Sequence, residues 1–281
     1  MKKKTLLAIP LLFTFLASSA YAQQRPLVTE DPETIGAGLV LLEGGLDALH
    51  DVYYPASGLQ GNLLRIPTLG VSFGISSIAE LQIDGGLFNT LSVTSRKDAP
   101  LSDLLDFSGD HTHDVEDIVL ATKIRIVAET PSRPSFGVRF ATKLPNASNE
   151  SGLGLDTTDF FASLLLGKTV QSIRIVGNVG LGILADPVDG NRQNDVLTYG
   201  ASVARAVRQG LELVGEINGR LNTRDNEPIG TESRGAMRLG GRFTRGTVRV
   251  DTGLIFGMTS RDPSIGLTVG ATWVFKGFTI P

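Results

Sequence analysis

From Ala79 to Leu87 the chain alternates strictly. Ala79, Leu81, Ile83, Gly85 and Leu87 fall on one parity, and Glu80, Gln82, Asp84 and Gly86 on the other. A period of two is the signature of a β-strand with two unlike faces. Such alternation recurs in about twelve stretches, near 37–46, 63–74, 78–91, 116–129, 135–144, 157–167, 171–183, 195–206, 211–221, 234–244, 247–258 and 264–275. Each is close to the ten residues that a tilted strand needs to cross a bilayer. Gly44-Gly45 and Pro67 interrupt the first two stretches. The local pattern leaves open whether the apolar face meets a soluble core or lipid.

The connections decide between these. A long loop, "ALHDVYYPASGLQGN", follows the first stretch, and a tight turn near Ser76-Ser77 follows the second. After that, long "TSRKDAPLSDLLDFSGDHTHDV", short "TPSRP", long "PNASNESGLGLD", short "KTV", long "ADPVDGNRQN" and short "VRQG" succeed one another. "NTRDNEPIGTES", a tight turn at Arg245-Gly246 and "TSRDP" complete the series. Long loops at one end and short turns at the other are expected of an up-and-down membrane barrel, with the short turns and both termini on the periplasmic side. The fold class expected is therefore all-β, a single antiparallel transmembrane barrel of about 12 strands. The apolar parity then faces lipid, at Leu81, Ile83, Ile124, Ile126, Val138, Phe140, Ile173, Ile175, Leu213, Ile217, Val248, Val250, Leu267 and Val269.

The opposite parity gives a charged interior. Its candidates are Glu80 and Asp84 in the third stretch, Lys123 and Arg125 in the fourth, Arg139 and Lys143 in the fifth, and Arg174 and Asn178 in the seventh. The ninth supplies Glu212, Glu216, Asn218 and Arg220, and the tenth and eleventh Arg238, Arg242, Arg249 and Asp251. Acid-rich stretches three and nine neighbour base-rich four and ten. Strands about 4.8 Å apart bring such groups within pairing distance. The pairs either neutralise one another in a narrow wet interior or select what passes.

Composition fits this picture. A basic Met1–Lys4, an apolar run and Ala20-Tyr21-Ala22 make a signal peptide, with cleavage expected after Ala22. The expected parts are the signal peptide (1–22), an N-terminal periplasmic segment (23–36), the barrel (37–275) and a C-terminal extension (276–281). There is no cysteine, and the net charge of -3 without basic clusters gives nucleic acid nothing to bind. Tyr and Trp number only four and one, so aromatic girdles must be built mainly from phenylalanine. The 33 glycines weaken isolated strands but permit bends and close approach.

Two motifs suggest chemistry. Gly70-Val71-Ser72-Phe73-Gly74 matches the G-x-S-x-G nucleophile elbow, yet it lies in an extended stretch with no helix after it. His50, His111 and His113, the only candidate bases for Ser72, all fall in expected outer loops. "GDHTHDVED" sets His111 and His113 among Asp110, Asp114, Glu116 and Asp117, a set that can hold a divalent ion or form a solvated acidic loop. The reading adopted assigns no catalytic residue, metal or cofactor. The peptide "QQRPLVTEDPETIG" carries Glu30, Asp31 and Glu33 and reaches about 45 Å when extended. It either frays or enters the lumen to meet Arg125, Arg139, Arg174 or Arg249, narrowing the exit.

The stretches "RPLVTEDPETIGAG" and "FGVRFATKLPNASNESGLGLDTTDFFASLLLGK" resemble an outer-membrane barrel family named for the meta-cleavage pathway of phenol degradation. The likeness rests on Thr142-Lys143-Leu144-Pro145, the glycine-rich loop to Gly154, and Thr158-Asp159 opening the next strand. It implies an outer-membrane location and passage of small aromatic or other hydrophobic compounds. The function expected is a channel or uptake protein whose partners are outer-membrane lipid and a small-molecule solute. The alternatives are a membrane-embedded hydrolase using Ser72 and a barrel with a structural or surface role.

Overall fold

The computed structural model describes residues 25–190 and 192–279, so the expected cleavage after Ala22 lies outside the described residues. The strands are β1 (Leu39–Tyr54), β2 (Leu59–Gly74), β3 (Ala79–Gly86), β4 (Asn89–Arg96), β5 (His111–Asp114), β6 (Val119–Val127) and β7 (Ser135–Lys143). After them come β8 (Asp159–Val170), β9 (Ile173–Ala185), β10 (Gln193–Arg208), β11 (Leu211–Leu221), β12 (Arg234–Arg245), β13 (Val248–Gly257) and β14 (Ile265–Lys276). Neighbours pair antiparallel in chain order, and β1 pairs with both β14 and β2, which closes the sheet into a barrel. β3 and β4 pair one after the other with β2, and β5 and β6 continue along them. Each of these two couples is one wall strand in two pieces, so the wall has twelve strands.

The interruption has a local cause. Pro67 has no N–H to give the ladder. The register between β1 and β2 shifts where Gly45 meets Thr68 and Asp47 meets Arg65. Opposite, β3 and β4 are separated by Leu87 and Phe88, held by Ile66 N–H to Phe88 O (2.8 Å) and Leu87 N–H to Pro67 O (3.2 Å).

The connection expected as a long loop after the first strand is instead strand. β1 and β2 run 16 residues each and are joined by residues 55–58. At about 3.3 Å per residue they project well beyond a bilayer. Their projecting inner face is apolar, which is why they continue. Val52, Leu59, Leu63 and Leu91 form a buried cluster there, joined by Leu105, Phe107 and Leu153 from the connections after β4 and β7. Part of the next expected loop is likewise ladder, since β4 and β5 pair within it. The short turns 171–172, 209–210 and 246–247 lie at the opposite end, the end at which β1 starts and β14 finishes. Gly38 N–H bonds Gly74 O (2.8 Å), and Gly277 N–H bonds Gly38 O (3.0 Å).

The outer face is apolar as the parity requires. Leu81, Ile83, Ile126, Phe140, Ile175, Leu213, Ile217, Val248, Val250, Leu267 and Val269 are exposed, with Ile124, Val138 and Ile173 half-buried on the same face. A wall that turns its large apolar residues outward and buries lysine and glutamate is built for lipid. Phe136, Phe243 and Trp273 stand on this face toward the short turns, and Phe160 and Phe256 toward the long loops.

Candidate functional site

The interior is organised by cross-strand charge pairs set by the register. Glu80 sits opposite Lys123, Glu216 opposite Arg238, and Glu212 opposite Arg242. Their ion-pair distances are 2.9, 3.0 and 2.7 Å. Arg249 adds to the last pair at 3.6 Å from Glu212 and donates to Thr244. Lys143 joins Asp117 (3.1 Å) to Asp159 (3.0 Å). Asp84 is the most open of the candidate acids, with its side chain 46% exposed and Arg139 3.5 Å away.

Into this interior runs the N-terminal peptide. Of the two courses open to this segment, fraying or entering the lumen, its described residues from Arg25 onward take the second. Arg25 donates to Thr68 (3.1 Å) and Thr268 (2.9 Å), and its Nε stands 3.6 Å from Asp251. Glu216 accepts the amides of Val28 and Thr29, both at 2.8 Å. Asn178 bonds both the amide and the carbonyl of Glu30. The Glu30 carboxylate faces Arg139 (3.0 Å) and Lys123 (3.3 Å). Arg174 grips Asp31 through two bonds of 2.8 and 2.6 Å, and Glu33 pairs with Arg125. The Ile35 amide ends the run on Glu80 (2.8 Å), while its side chain packs with Leu41 and Val274. Three of the four arginines expected to meet this peptide therefore each hold one of its acids. Arg249 faces Glu212 instead.

Glycines make the track. A Cβ at Gly253 or Gly240 would meet Pro26, one at Gly200 would meet Thr29 (2.9 Å to its Oγ1), and one at Gly137 or Gly167 would meet Pro32. The peptide thus passes every wall strand in one circuit, from β14 and β13 round to β3 and β1. Twelve extended residues span about 40 Å, the scale of the inner girth of a small barrel.

Beside the peptide lies a cavity of about 530 Å³, with Arg25–Glu30 among its lining. Glu43, Asp84, Arg139 and Arg238 are among its charged lining, and Phe161 and Leu165 supply part of its apolar surface. Val28 is 48% exposed although it lies inside the wall. Glu43, Asp47 and Arg65 are not among the interior residues expected from the sequence, and Glu116 is expected only in the acidic loop with His111 and His113. Asp47 and Arg65 pair at 3.0 Å, and Glu116 bonds the same arginine. For Glu43, Asp47 and Arg65 the signal is their parity relative to Leu42 and Leu64, which the interrupted pattern around Gly44 and Pro67 hides.

Ser72 lies near the end of β2, opposite Leu41 and Gln82, with no helix following. The histidines have other partners. His50 bonds Asn62 (2.6 Å), His111 bonds Ser92 (3.3 Å), and His113 lies against the Phe88 ring. Asp114 and Asp117 accept loop amides from Ser148, Asn146 and Ala147. Among the described residues no group of three or more histidines and acids is disposed to hold a metal.

No family model and no curated protein sequence matches this chain. Solved structures do. The COG4313 outer membrane channel from Pseudomonas putida F1 superposes with a TM-score of 0.61 at 16% identity, over 87% of this chain and 98% of that one. The NanC porin gives 0.51 at 10% identity, over 83% of this chain and 98% of that one. Both likenesses are of fold, and the chain has the fold of an outer-membrane β-barrel.

Proposed function

We propose that this chain is an outer-membrane channel for small solutes. The observation that carries the reading is the cavity of about 530 Å³ inside a closed wall whose outer face is apolar. Its mixed lining, with Phe161 and Leu165 beside Arg139 and Asp84, suits solutes that join an apolar body to a polar group. That chemistry agrees with the small aromatic compounds implied by the resemblance to the phenol meta-pathway family. The fold's likeness to a channel supports the same reading at the level of architecture.

Liposome swelling tests it. Vesicles carrying the refolded chain from residue 23 onward are expected to swell in small aromatic alcohols faster than in sugars of similar mass. No swelling in any solute, with the barrel folded, would overturn the channel reading.

A further inference from the structure

The N-terminal peptide has two halves of unlike chemistry. Residues 30–36 are held by Lys123, Arg139, Arg174 and Arg125 through carboxylates, and by Glu80 through the Ile35 amide. Residues 25–29 depend on Glu216, on Arg25 and on the small apolar contact of Leu27 with Ala204 and Val214. Thr29 Oγ1 is buried without a hydrogen-bond partner, and Arg25 Nε and the Asp251 carboxylate face each other as an ion pair at 3.6 Å without a hydrogen bond, all at the first half and its dock. On the second half's wall, Arg125 Nε is buried without a hydrogen-bond partner. Buried orphans weaken the state that contains them.

We propose that residues 25–29 form a movable arm that gates the barrel, hinged on a fixed anchor at residues 30–36. This rests on the channel reading and adds to it which part of the peptide moves. The arm contributes to the cavity lining and lies over bare backbone at Gly200, Gly240 and Gly253, so no side chain at those positions has to move when it leaves. Glu216 is the latch. Its carboxylate accepts both arm amides while Arg238 holds it in place at 3.0 Å. When the arm swings off, water and Arg238 take over the Glu216 carboxylate, and Asp251 exchanges its 3.6 Å pair with Arg25 for solvent.

The chain contains no cysteine, so introduced pairs report cleanly. A Cβ at Gly253 lies 3.5 Å from Pro26 Cβ, and one at Gly200 lies 3.5 Å from Thr29 Cβ, both at the short end of the disulfide range. Pro26→Cys with Gly253→Cys is the first arm lock, and Thr29→Cys with Gly200→Cys a second should the first fail to fold. Pro32→Cys with Gly137→Cys, at 3.3 Å and just under the disulfide range, locks the anchor and requires the Ile124 carbonyl, 2.9 Å from the new Cβ, to shift. In planar bilayers the oxidised arm locks should lower open probability at least tenfold, and reductant should restore it. The oxidised anchor lock should behave as the parent does.

An arm lock that conducts equally when oxidised and reduced, beside a conducting parent, overturns the gate. Silencing by the anchor lock overturns the hinge, because the whole peptide must then move. A parent that stays silent, together with a folded barrel lacking residues 25–36, overturns the channel reading instead.

Discussion

Lys123 Nζ stands 2.9 Å from Glu80 Oε1 and 3.3 Å from Glu30 Oε2, with the lysine side chain wholly shielded from solvent. One cation thus ties the wall to the peptide inside it. Gln82 closes the group by donating to Glu80 (2.9 Å) and accepting from Arg139 (2.7 Å). Removing the cation leaves two carboxylates buried beside each other, which in such settings costs about 3 to 5 kcal/mol. Lys123→Met should therefore lower the unfolding midpoint of the barrel in detergent markedly. Adding Glu80→Gln should recover part of the loss, because one stranded charge has gone. Equal midpoints for parent and Lys123→Met would show that the group carries no net stability.

The glycine track yields a second prediction. Gly200 has ordinary strand geometry, so a side chain there costs the backbone nothing, yet its Cβ would meet Thr29 Oγ1 at 2.9 Å and Cγ2 at 3.2 Å. Gly200→Leu should keep the barrel folded while pushing the arm off its seat. Larger single-channel conductance with unchanged heat-modifiable gel mobility is the expected result. Unchanged conductance would mean that the arm does not limit flow.

The wall was legible in the sequence because lipid outside and charge inside impose a period of two on every strand. The register-matched pairs Glu80–Lys123, Glu212–Arg242 and Glu216–Arg238 follow from adjacent strands whose inward positions carry opposite signs. Periodicity could not show the projecting ends of β1 and β2. There the inner face also turns apolar at Val52, Leu59 and Leu63, and the pattern stops alternating. That glycines permit close approach was legible in general, but nothing in the sequence singles out Gly200, Gly240 or Gly253. What approaches them is 170 or more residues away in the chain, and no local pattern encodes that.

The projecting cluster can be tested by itself. Leu59 and Leu91 are each 0% exposed and receive Leu105, Phe107 and Leu153 from two loops. Leu59→Ala opens a cavity whose cost is about 2 to 5 kcal/mol. The loss should appear as faster proteolysis within residues 97–110 and 144–158, with the membrane-spanning wall intact. Loops as resistant as those of the parent would show that this core does not hold them.

Ser72 gives a control on chemistry. It lies within β2, and each histidine is engaged elsewhere, His50 with Asn62, His111 with Ser92 and His113 with Phe88. A serine without a base in hydrogen-bond reach is not an activated nucleophile. Ser72→Ala should leave solute flux and any background lipolysis unchanged. Loss of a lipolytic activity in the folded variant would establish the hydrolase alternative.

The loop between β11 and β12, outside the wall, carries a pH dependence whose sign can be worked out. Glu227 accepts the Ser233 hydroxyl at 2.7 Å and the Ser233 amide at 3.2 Å, and Arg261 lies 2.9 Å from its other oxygen. The Ser233 hydroxyl, more than the amide and the Arg261 charge, holds the carboxyl below its usual 4.5 against the opposing pull of burial. A carboxylate whose folded pKa is depressed binds protons more readily when its loop is undone. The loop's stabilisation is therefore fully present above pH 4.5 and is lost as pH falls through the depressed value. Amides in residues 222–233, corrected for intrinsic exchange, should be well protected at neutral pH and lose protection in acid. Glu227→Gln should show the weaker protection at both. Protection that is the same in parent and Glu227→Gln at neutral pH would remove Glu227 as the group that orders this loop.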